Sequence, residues 1–584
     1  MKKNKLLLPV LSGVICWLAW PPTYFAPLLL VALVPLFYFC DEALKSRNPG
    51  RTVLLGAVLG SAAWNTLSLY WIYFVASGVG ALTGLAVVLV PILFGTLLMT
   101  LPFFFYHKTR KYAGAKIGLA AFCAYWIAGE YLHHQWDFAF PWLSLGNGFA
   151  NFPSLIQWYE YTGIFGGTLW ILLVNILAYR LLTGFLSWRR AGANIPADTA
   201  INTEAIAAGS PAASFPDTPA LRQPRAAGRR SFYLRRCLPF VAAAFLPMIL
   251  SLLIYFSYEE KGSPVHVVVV QPNLDPYGEK YDGLSEKEQL LRLVTLSDSL
   301  GQPNTEYFIW PETAIGTAQA LVENQLYDEY SIKVIQGFLE KYRNGNVITG
   351  ASSLRIYDSP ASVTARRFRN SESYYDYYNS ALQVENNGRV QVYHKNKLVP
   401  GVEQFPYQEY LGFLGEFMMD MGGTSGTLGH EDEQTVFYSQ NGIGVVPAIC
   451  YESVFGGFIA DFVGKGAQLI CIITNDGWWG NTAGYKQHAA YASLRAIETR
   501  RSVARSANTG ISMLINQRGD VLKRTDWWVP AAISGELKLN TGLTFYVKYG
   551  NYLARIATGM ALLSLVGLLI LSVARNAGKQ GAKS

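Results

Sequence analysis

The chain has 584 residues, of which 51% are hydrophobic, 14% aromatic and only 15% charged. Soluble domains usually carry about 25% charged residues, so an ordinary soluble enzyme is excluded. The net charge of +8 raises nucleic acid as a partner, but the cations are distributed as a membrane protein distributes them.

Lys2, Lys3 and Lys5 precede an apolar run over 6–20 that resembles a signal peptide, yet no small-residue cleavage site follows. A second run, 26–40, begins soon after Pro21 and Pro22. Further runs cover 53–75, 81–106, 117–132, 163–186, 238–256 and 554–574. A helix needs about 20 residues to cross a bilayer, which leaves the first, second and fifth runs short. Flanking aromatics such as Trp17, Trp20, Tyr38 and Tyr125 extend them into the interface. Eight spans are therefore expected.

The connecting segments sort by charge. Lys45, Arg47 and Arg51 follow the second span, and Lys108, Arg110, Lys111 and Lys116 follow the fourth. Eight arginines, from Arg189 to Arg236, lie between the sixth and seventh, and Arg575, Lys579 and Lys583 form the tail. The alternate segments 21–25, 76–80 and 133–161 contain no Lys or Arg. The positive-inside rule then puts both termini in the cytoplasm and residues 257–553 on the opposite side of the membrane. The expected domains are 1–256 with seven spans, 257–553 as a globular domain, and 554–584 with the last span and a basic tail. The segment near 187–236 is expected to be a flexible cytoplasmic loop, since its centre is rich in Ala, Pro, Ser and Thr without period. Nucleic acid is not expected as a partner.

Over 263–540 the apolar runs shorten to strand length: 265–270, 307–310, 346–348, 443–449 and 468–474. Amphipathic stretches at 285–300 and 323–342 predict helices between them. Two hairpins are predicted, turning at Asn387-Gly388 and Arg518-Gly519. The expectation is an α/β domain whose sheet carries helices on its faces.

Three strand ends in this domain present reactive groups: Glu312 after Pro311, the segment from Lys395 to Glu403, and Cys450. A thiol titrates near 8.5, and a neighbouring ammonium lowers it. A carboxylate can take the thiol proton and return it to a leaving group, while a lysine can stabilise an oxyanion. Each residue also has a plain reading: Glu312 as a turn cap, Lys395 as a solvated charge, Cys450 as core. The six cysteines have no CxxC spacing and the seven histidines no ligand-type cluster, so no disulfide framework, metal site or cofactor is expected.

At Gln271-Pro-Asn273, Trp310-Pro-Glu312, Tyr393-x-Lys395-x-x-Leu398-Val-Pro400, Ile449-Cys-Tyr-Glu452 and Asn475-Asp-Gly-Trp478 the chain resembles the nitrilase (carbon–nitrogen hydrolase) superfamily over about 265–535. With seven spans before and one after this domain, it is similar to the apolipoprotein N-acyltransferase family of bacterial lipoprotein maturation. Phe140-Pro-Trp-Leu143, the stretch 495–501 and Ala507-Asn-Thr-Gly510 add to that likeness. The resemblance implies a multi-span α-helical membrane protein carrying an α-β-β-α sandwich. It implies Glu312 as general base, Lys395 as oxyanion stabiliser and Cys450 as nucleophile. Glu403 would fix Lys395, Tyr451, Glu452 and Trp478 would surround the acyl site, and Asn379, Tyr281 and Trp479 would meet substrate. The implied reaction moves an acyl chain from a membrane phospholipid to Cys450 as a thioester. The chain then passes to the N-terminal diacylglyceryl-cysteine α-amine of an apolipoprotein.

Two features depart from the family pattern. Leu398-Val-Pro-Gly-Val-Glu403 stands where Leu-Val-Pro-Phe-Gly-Glu is usual, and Tyr281 stands near the place of an expected tryptophan. The aromatics Trp136, Phe138, Phe140, Trp142 and Phe149 read as an interfacial belt, with part of a lipid entrance as the second reading. A membrane-tethered amidase, using water as acceptor, is the alternative function. A transporter is disfavoured because the spans contain no central acid except Glu130, near an end.

Overall fold

The computed structural model describes residues 3–77, 80–193, 226–280, 283–369, 371–407, 410 and 427–581. Most of the predicted loop near 187–236, and Tyr281, lie outside the described residues.

Helices occupy all eight predicted span positions: Leu7–Leu18, Val34–Ala43, Pro49–Leu69, Ala81–Ala113, Ala115–Leu132, Tyr159–Ala193, Ala226–Ser257 and Tyr552–Gly581. Among the described residues, six helical segments are long and apolar enough to cross a membrane. Leu7–Leu18 is not among them; its 12 residues rise only about 18 Å at 1.5 Å each. Ala115–Leu132 also falls outside that set, since Lys116 and Glu130 dilute its apolar run. The second predicted span is not one α-helix: a 3-10 turn, Ala26–Leu30, precedes Val34–Ala43. On 236–257 and 552–575 large apolar side chains such as Phe245, Leu253, Leu563 and Leu569 are exposed, as a lipid-facing helix requires.

The strands are β1 Pro264–Gln271, β2 Thr305–Ile309, β3 Leu321–Val322, β4 Asn346–Tyr357, β5 Arg366–Arg367, β6 Tyr374–Glu385 and β7 Val390–His394. They continue as β8 Phe437–Tyr438, β9 Gly444–Ile449, β10 Leu469–Thr474, β11 Ser502–Ala507, β12 Met513–Ile515, β13 Val521–Arg524 and β14 Ala531–Lys538. One sheet runs β14-β1-β2-β4-β6-β5, with β3 on β4 and β7 on β6; the other runs β13-β12-β11-β10-β9-β8. The central neighbours β1/β2, β2/β4, β9/β10 and β10/β11 are parallel.

Strand alternation explains the layers. Val267 and Val269 of β1, with Tyr307 and Ile309 of β2, share one core with Val445, Ile449, Leu469 and Ile473 of the second sheet. Val268, Val270 and Phe308 point the other way, onto the helices Glu286–Asp298 and Tyr330–Leu339. A strand buried on both faces reads as an unbroken apolar run, which is the pattern these segments carry. The second sheet is covered by Gly456–Gly464 and Ala483–Thr499. The result is an α-β-β-α sandwich.

Both predicted hairpins form, with Gly388 at φ +87 and Gly519 at φ +85 supplying the left-handed turn residue. The amphipathic stretch 323–342 breaks instead into a 3-10 segment Glu323–Asp328 and the helix Tyr330–Leu339. Residues entering and leaving the domain are neighbours: Pro264 of β1 pairs with Lys538 of β14, and the ladder runs to Gln271 opposite Ala531.

The domain sits on the ends of the helices whose loops lack Lys and Arg. Trp142 Nε1 donates to Gln487 Oε1 at 2.7 Å, Gln487 Nε2 donates to the Pro21 carbonyl at 2.9 Å, and Arg500 pairs with Glu160 at 2.8 Å. At the other ends Lys5 pairs with Glu42 and Arg110 with Asp41. Of the aromatics in the loop 133–161, Trp136, Phe138 and Phe140 are half-exposed, but two depart from the expected belt. Trp142 and Phe149 are fully buried, packed by the domain and by neighbouring helices respectively. A ring covered by protein on all sides cannot sit among lipid headgroups.

Candidate active site

The two sheets bring three strand ends together. Glu312 follows β2 and Pro311, Lys395 follows β7, and Cys450 ends β9. Lys395 Nζ donates to Glu312 Oε1 at 3.2 Å and to Glu403 Oε1 at 2.8 Å. Asn379, on β6, places its Nδ2 2.8 Å from each of the same two oxygens. Glu312 Oε2 accepts the Asn475 backbone N–H at 3.1 Å. The lysine is 1% exposed and Glu312 7%, so this is a desolvated ion pair with its donors supplied.

Electrostatics separate the roles. Burial pushes the Glu312 carboxyl up, but Lys395, the Asn379 amide and Lys280 together outweigh it and hold the group below the usual carboxylate range. Burial pulls Lys395 down, and Glu403, Glu312 and Cys450 more than reverse it, so the ammonium stays charged. Burial pushes the Cys450 thiol well up, with Glu312 adding to the rise and Lys395 opposing it. The resting site is therefore a carboxylate beside a protonated thiol.

Cys450 has φ +50, a left-handed conformation rare for a residue with a Cβ. It turns the chain sharply from β9 into the 3-10 helix Cys450–Val454. A strand-to-helix turn of this kind lifts a nucleophile off the sheet edge.

The other predicted residues divide. Glu403 reaches Lys395 despite the altered loop: Gly401 takes φ +81, the Glu403 N–H closes onto the Val399 carbonyl at 2.9 Å, and Oε2 accepts the Val399 N–H at 2.8 Å. Tyr451 points at the membrane frame, donating to the Ala139 carbonyl at 2.6 Å and stacking on Phe140 at 6.2 Å between centroids. Glu452 does not line the acyl site as expected. Its oxygens accept from Tyr393 Oη (2.6 Å) and from the N–H groups of Asn396 (2.7 Å) and Ile449 (2.9 Å), so it braces the segment carrying Lys395 against β9. Burial pushes its carboxyl up to about 7, against those hydrogen bonds.

Trp478 meets Tyr277 edge-on at 5.2 Å, and Trp479 packs on Trp71 at 4.9 Å and Trp142 at 5.8 Å. Tyr281 is not described, but the adjacent Lys280 is. Its Nζ donates to the Glu312 carbonyl at 3.1 Å and to Thr313 Oγ1 at 2.6 Å, and burial lowers it to about 8. No sequence signal marked Lys280. His488 was passed over too, and the expectation of no clustered histidine needs correcting. The side-chain donor atoms of Cys450, Asp476 and His488 lie within 4.8 Å of one another. Asp476 is already engaged by Arg505, Thr474 and His488, so the group is a hydrogen-bond network rather than an open ligand set.

Comparison with known proteins gives this arrangement a family. Residues 12–177 match the apolipoprotein N-acyltransferase N-terminal domain, and 269–542 match the carbon–nitrogen hydrolase family. An apolipoprotein N-acyltransferase of Chlorobaculum tepidum is 30% identical over 569 residues, covering 95% of this chain and 94% of its own. The chain belongs to the apolipoprotein N-acyltransferase family. As a member it is an enzyme, an acyltransferase with a nitrilase-like domain carried on apolar helices. A second relative of this acyltransferase, from Geobacter metallireducens and of the same name, is 26% identical over 94% of this chain and 92% of its own. Among solved structures, Saccharomyces cerevisiae Nit3, described as a member of branch 10 of the nitrilase superfamily, is similar at 17% identity and TM-score 0.34. It covers 48% of this chain and 93% of that one.

Proposed function

We propose that this bacterial membrane acyltransferase N-acylates lipoproteins by a two-step transfer through Cys450. Glu312 takes the Sγ proton as the thiolate attacks an ester carbonyl of a membrane phospholipid. Lys395 stabilises the oxyanion, and Glu312 returns the proton to the departing lysophospholipid oxygen. The thioester so formed is attacked by the α-amine of a diacylglyceryl-cysteine. Glu312 accepts the amine proton and passes it to the leaving sulfur, which restores the enzyme and leaves an amide.

The observation that carries this reading is the buried Glu312–Lys395 ion pair, Nζ to Oε1 at 3.2 Å, whose two charges both act on the strand-end thiol of Cys450. Tyr451, next to the thiol, stacks on Phe140 of the helix frame. Phe140 also borders a narrow cavity of about 30 Å³ lined by Leu69, Leu98, Met99 and Trp126 of three helices.

In the proposed organisation residues 1–256 and 554–584 lie in and beside the inner membrane, with both termini cytoplasmic. Residues 257–553 form the periplasmic catalytic domain, and Trp478 and Trp479 flank the acyl site. Incubating the purified protein with labelled phospholipid should trap a hydroxylamine-sensitive acyl-enzyme that is absent in Cys450→Ser. Labelling of that variant at the parent level would overturn the assignment. Adding a diacylated lipopeptide should discharge the label as amide; discharge as free fatty acid would favour the hydrolase.

A further inference from the structure

The left-handed turn at Cys450 is held from behind. Conformations of this kind persist only where the surroundings over-determine them. Ser453 Oγ donates to the Cys450 carbonyl at 2.7 Å, and His488 Nε2 lies 3.1 Å from that carbonyl and 3.0 Å from Ser453 Oγ. On the far side of the imidazole, Nδ1 lies 3.0 Å from Asp476 Oδ1. Asp476 in turn accepts Arg505 on Oδ2 at 2.6 Å and Thr474 Oγ1 on Oδ1 at 2.8 Å. Asp476, His488 and Arg505 are all essentially without solvent exposure. Nδ1 also lies 3.2 Å from Arg505 Nη2, so each ring nitrogen has two polar neighbours, and Trp142 and Trp479 flank the ring at 5.7 and 5.5 Å. The imidazole cannot turn without abandoning one of these partners.

We propose that His488, oriented by Asp476 and Arg505, is a positioning residue for the nucleophile. It pins the Cys450 carbonyl and so fixes the Cys450–Tyr451 peptide in the orientation from which Sγ attacks. A trans peptide is planar, so the pinned carbonyl also fixes the Tyr451 N–H on the opposite side. That N–H lies in the first turn of a helix, where donors have no intrahelical partner. Burial pushes the Asp476 carboxyl up, but Arg505 and His488 outweigh it and keep it charged well below neutral pH.

The inference rests on Cys450 as nucleophile, and single-turnover acylation of the full-length enzyme by labelled phospholipid tests both separately. An acyl-enzyme still forming in Cys450→Ala would sink the nucleophile assignment itself. With that control silent, His488→Ala should slow acylation about 10- to 100-fold, the size of a lost buried hydrogen bond to a reacting group. Its donor KM should stay within about twofold and its acid limb, set by Glu312, should not move. His488→Gln, whose amide reaches the same carbonyl but not Asp476 at once, should regain part of the rate. Asp476→Asn keeps the volume and should be slowed about 3- to 10-fold, which reads the same link even if His488→Ala does not fold. Parent-rate acylation in His488→Ala or Asp476→Asn overturns the proposal, as does a folded His488→Gln no faster than His488→Ala.

Discussion

Asn379 illustrates how a neutral side chain can set an acid-base group. Its amide donates to both Glu312 and Glu403, and that donation helps keep Glu312 ionised. A depressed carboxyl keeps its charge until the pH falls through the depressed value, so the acid limb of acylation should lie below the ordinary glutamate range. Asn379→Leu removes the donor and favours the protonated form, so the limb should move to higher pH in a profile of acyl-enzyme formation. An unmoved limb would mean that the lysines Lys395 and Lys280 set Glu312 without the amide. Glu452 gives a second expectation. In Glu452→Gln an amide nitrogen must face donors that the carboxylate accepted, which costs about 1–3 kcal/mol. Thermal unfolding should show that loss together with slower acylation, and a variant melting like the parent would refute the brace. Glu312 and Cys450 were legible in sequence because each follows a strand-length apolar run, and Lys395 because it follows the hairpin that turns at Asn387-Gly388. Lys280, Asn475 and His488 were not marked as site residues, because what makes them matter is contact across the sandwich, and spacing along the chain carries none of that.

At the scale of elements, the sequence distinguished strands from helices well where burial is one- or two-sided and continuous. It failed where a segment is covered by something distant. The loop 133–161 has the composition of a headgroup belt, and only packing against the domain and neighbouring helices takes Trp142 and Phe149 out of it. Trp142 is the centre of that contact, with its ring against Tyr491 and its N–H on Gln487. Trp142→Ala should therefore cost about 3–5 kcal/mol. Trp142→Phe keeps most of the packing and should cost nearer 1 kcal/mol for the hydrogen bond. Thermal melting of the two variants in the same detergent would check the order. The breaks at Val31–Leu33 and near Glu329 were also invisible, since both stretches keep an apolar pattern that a helix would satisfy.

For the whole molecule, charge and architecture make one joint expectation. The loops without Lys or Arg meet the domain, while ion pairs such as Arg110–Asp41 gather at the opposite helix ends. A single cysteine placed at Ser46 of a protein lacking its other accessible thiols should resist an impermeant maleimide in intact cells. One placed at Ser359 in the domain should react. The reverse pattern would invert the proposed orientation.

The two tethers of the domain leave from Pro264 and Lys538, which face each other across one antiparallel ladder. Mechanically this is a zipper whose tab is held by two membrane helices. If those helices drift apart in the bilayer, the pull meets first the segment between Lys538 and Tyr552, where Thr544 Oγ1 donates to the Glu498 carbonyl and Asn540 Nδ2 to the Arg500 carbonyl, and only then the Pro264–Lys538 pair. Lateral strain that passes those anchors is spent at the rim of the sheet, pair by pair. β2, whose end carries Glu312, lies on the far side of β1 from that seam.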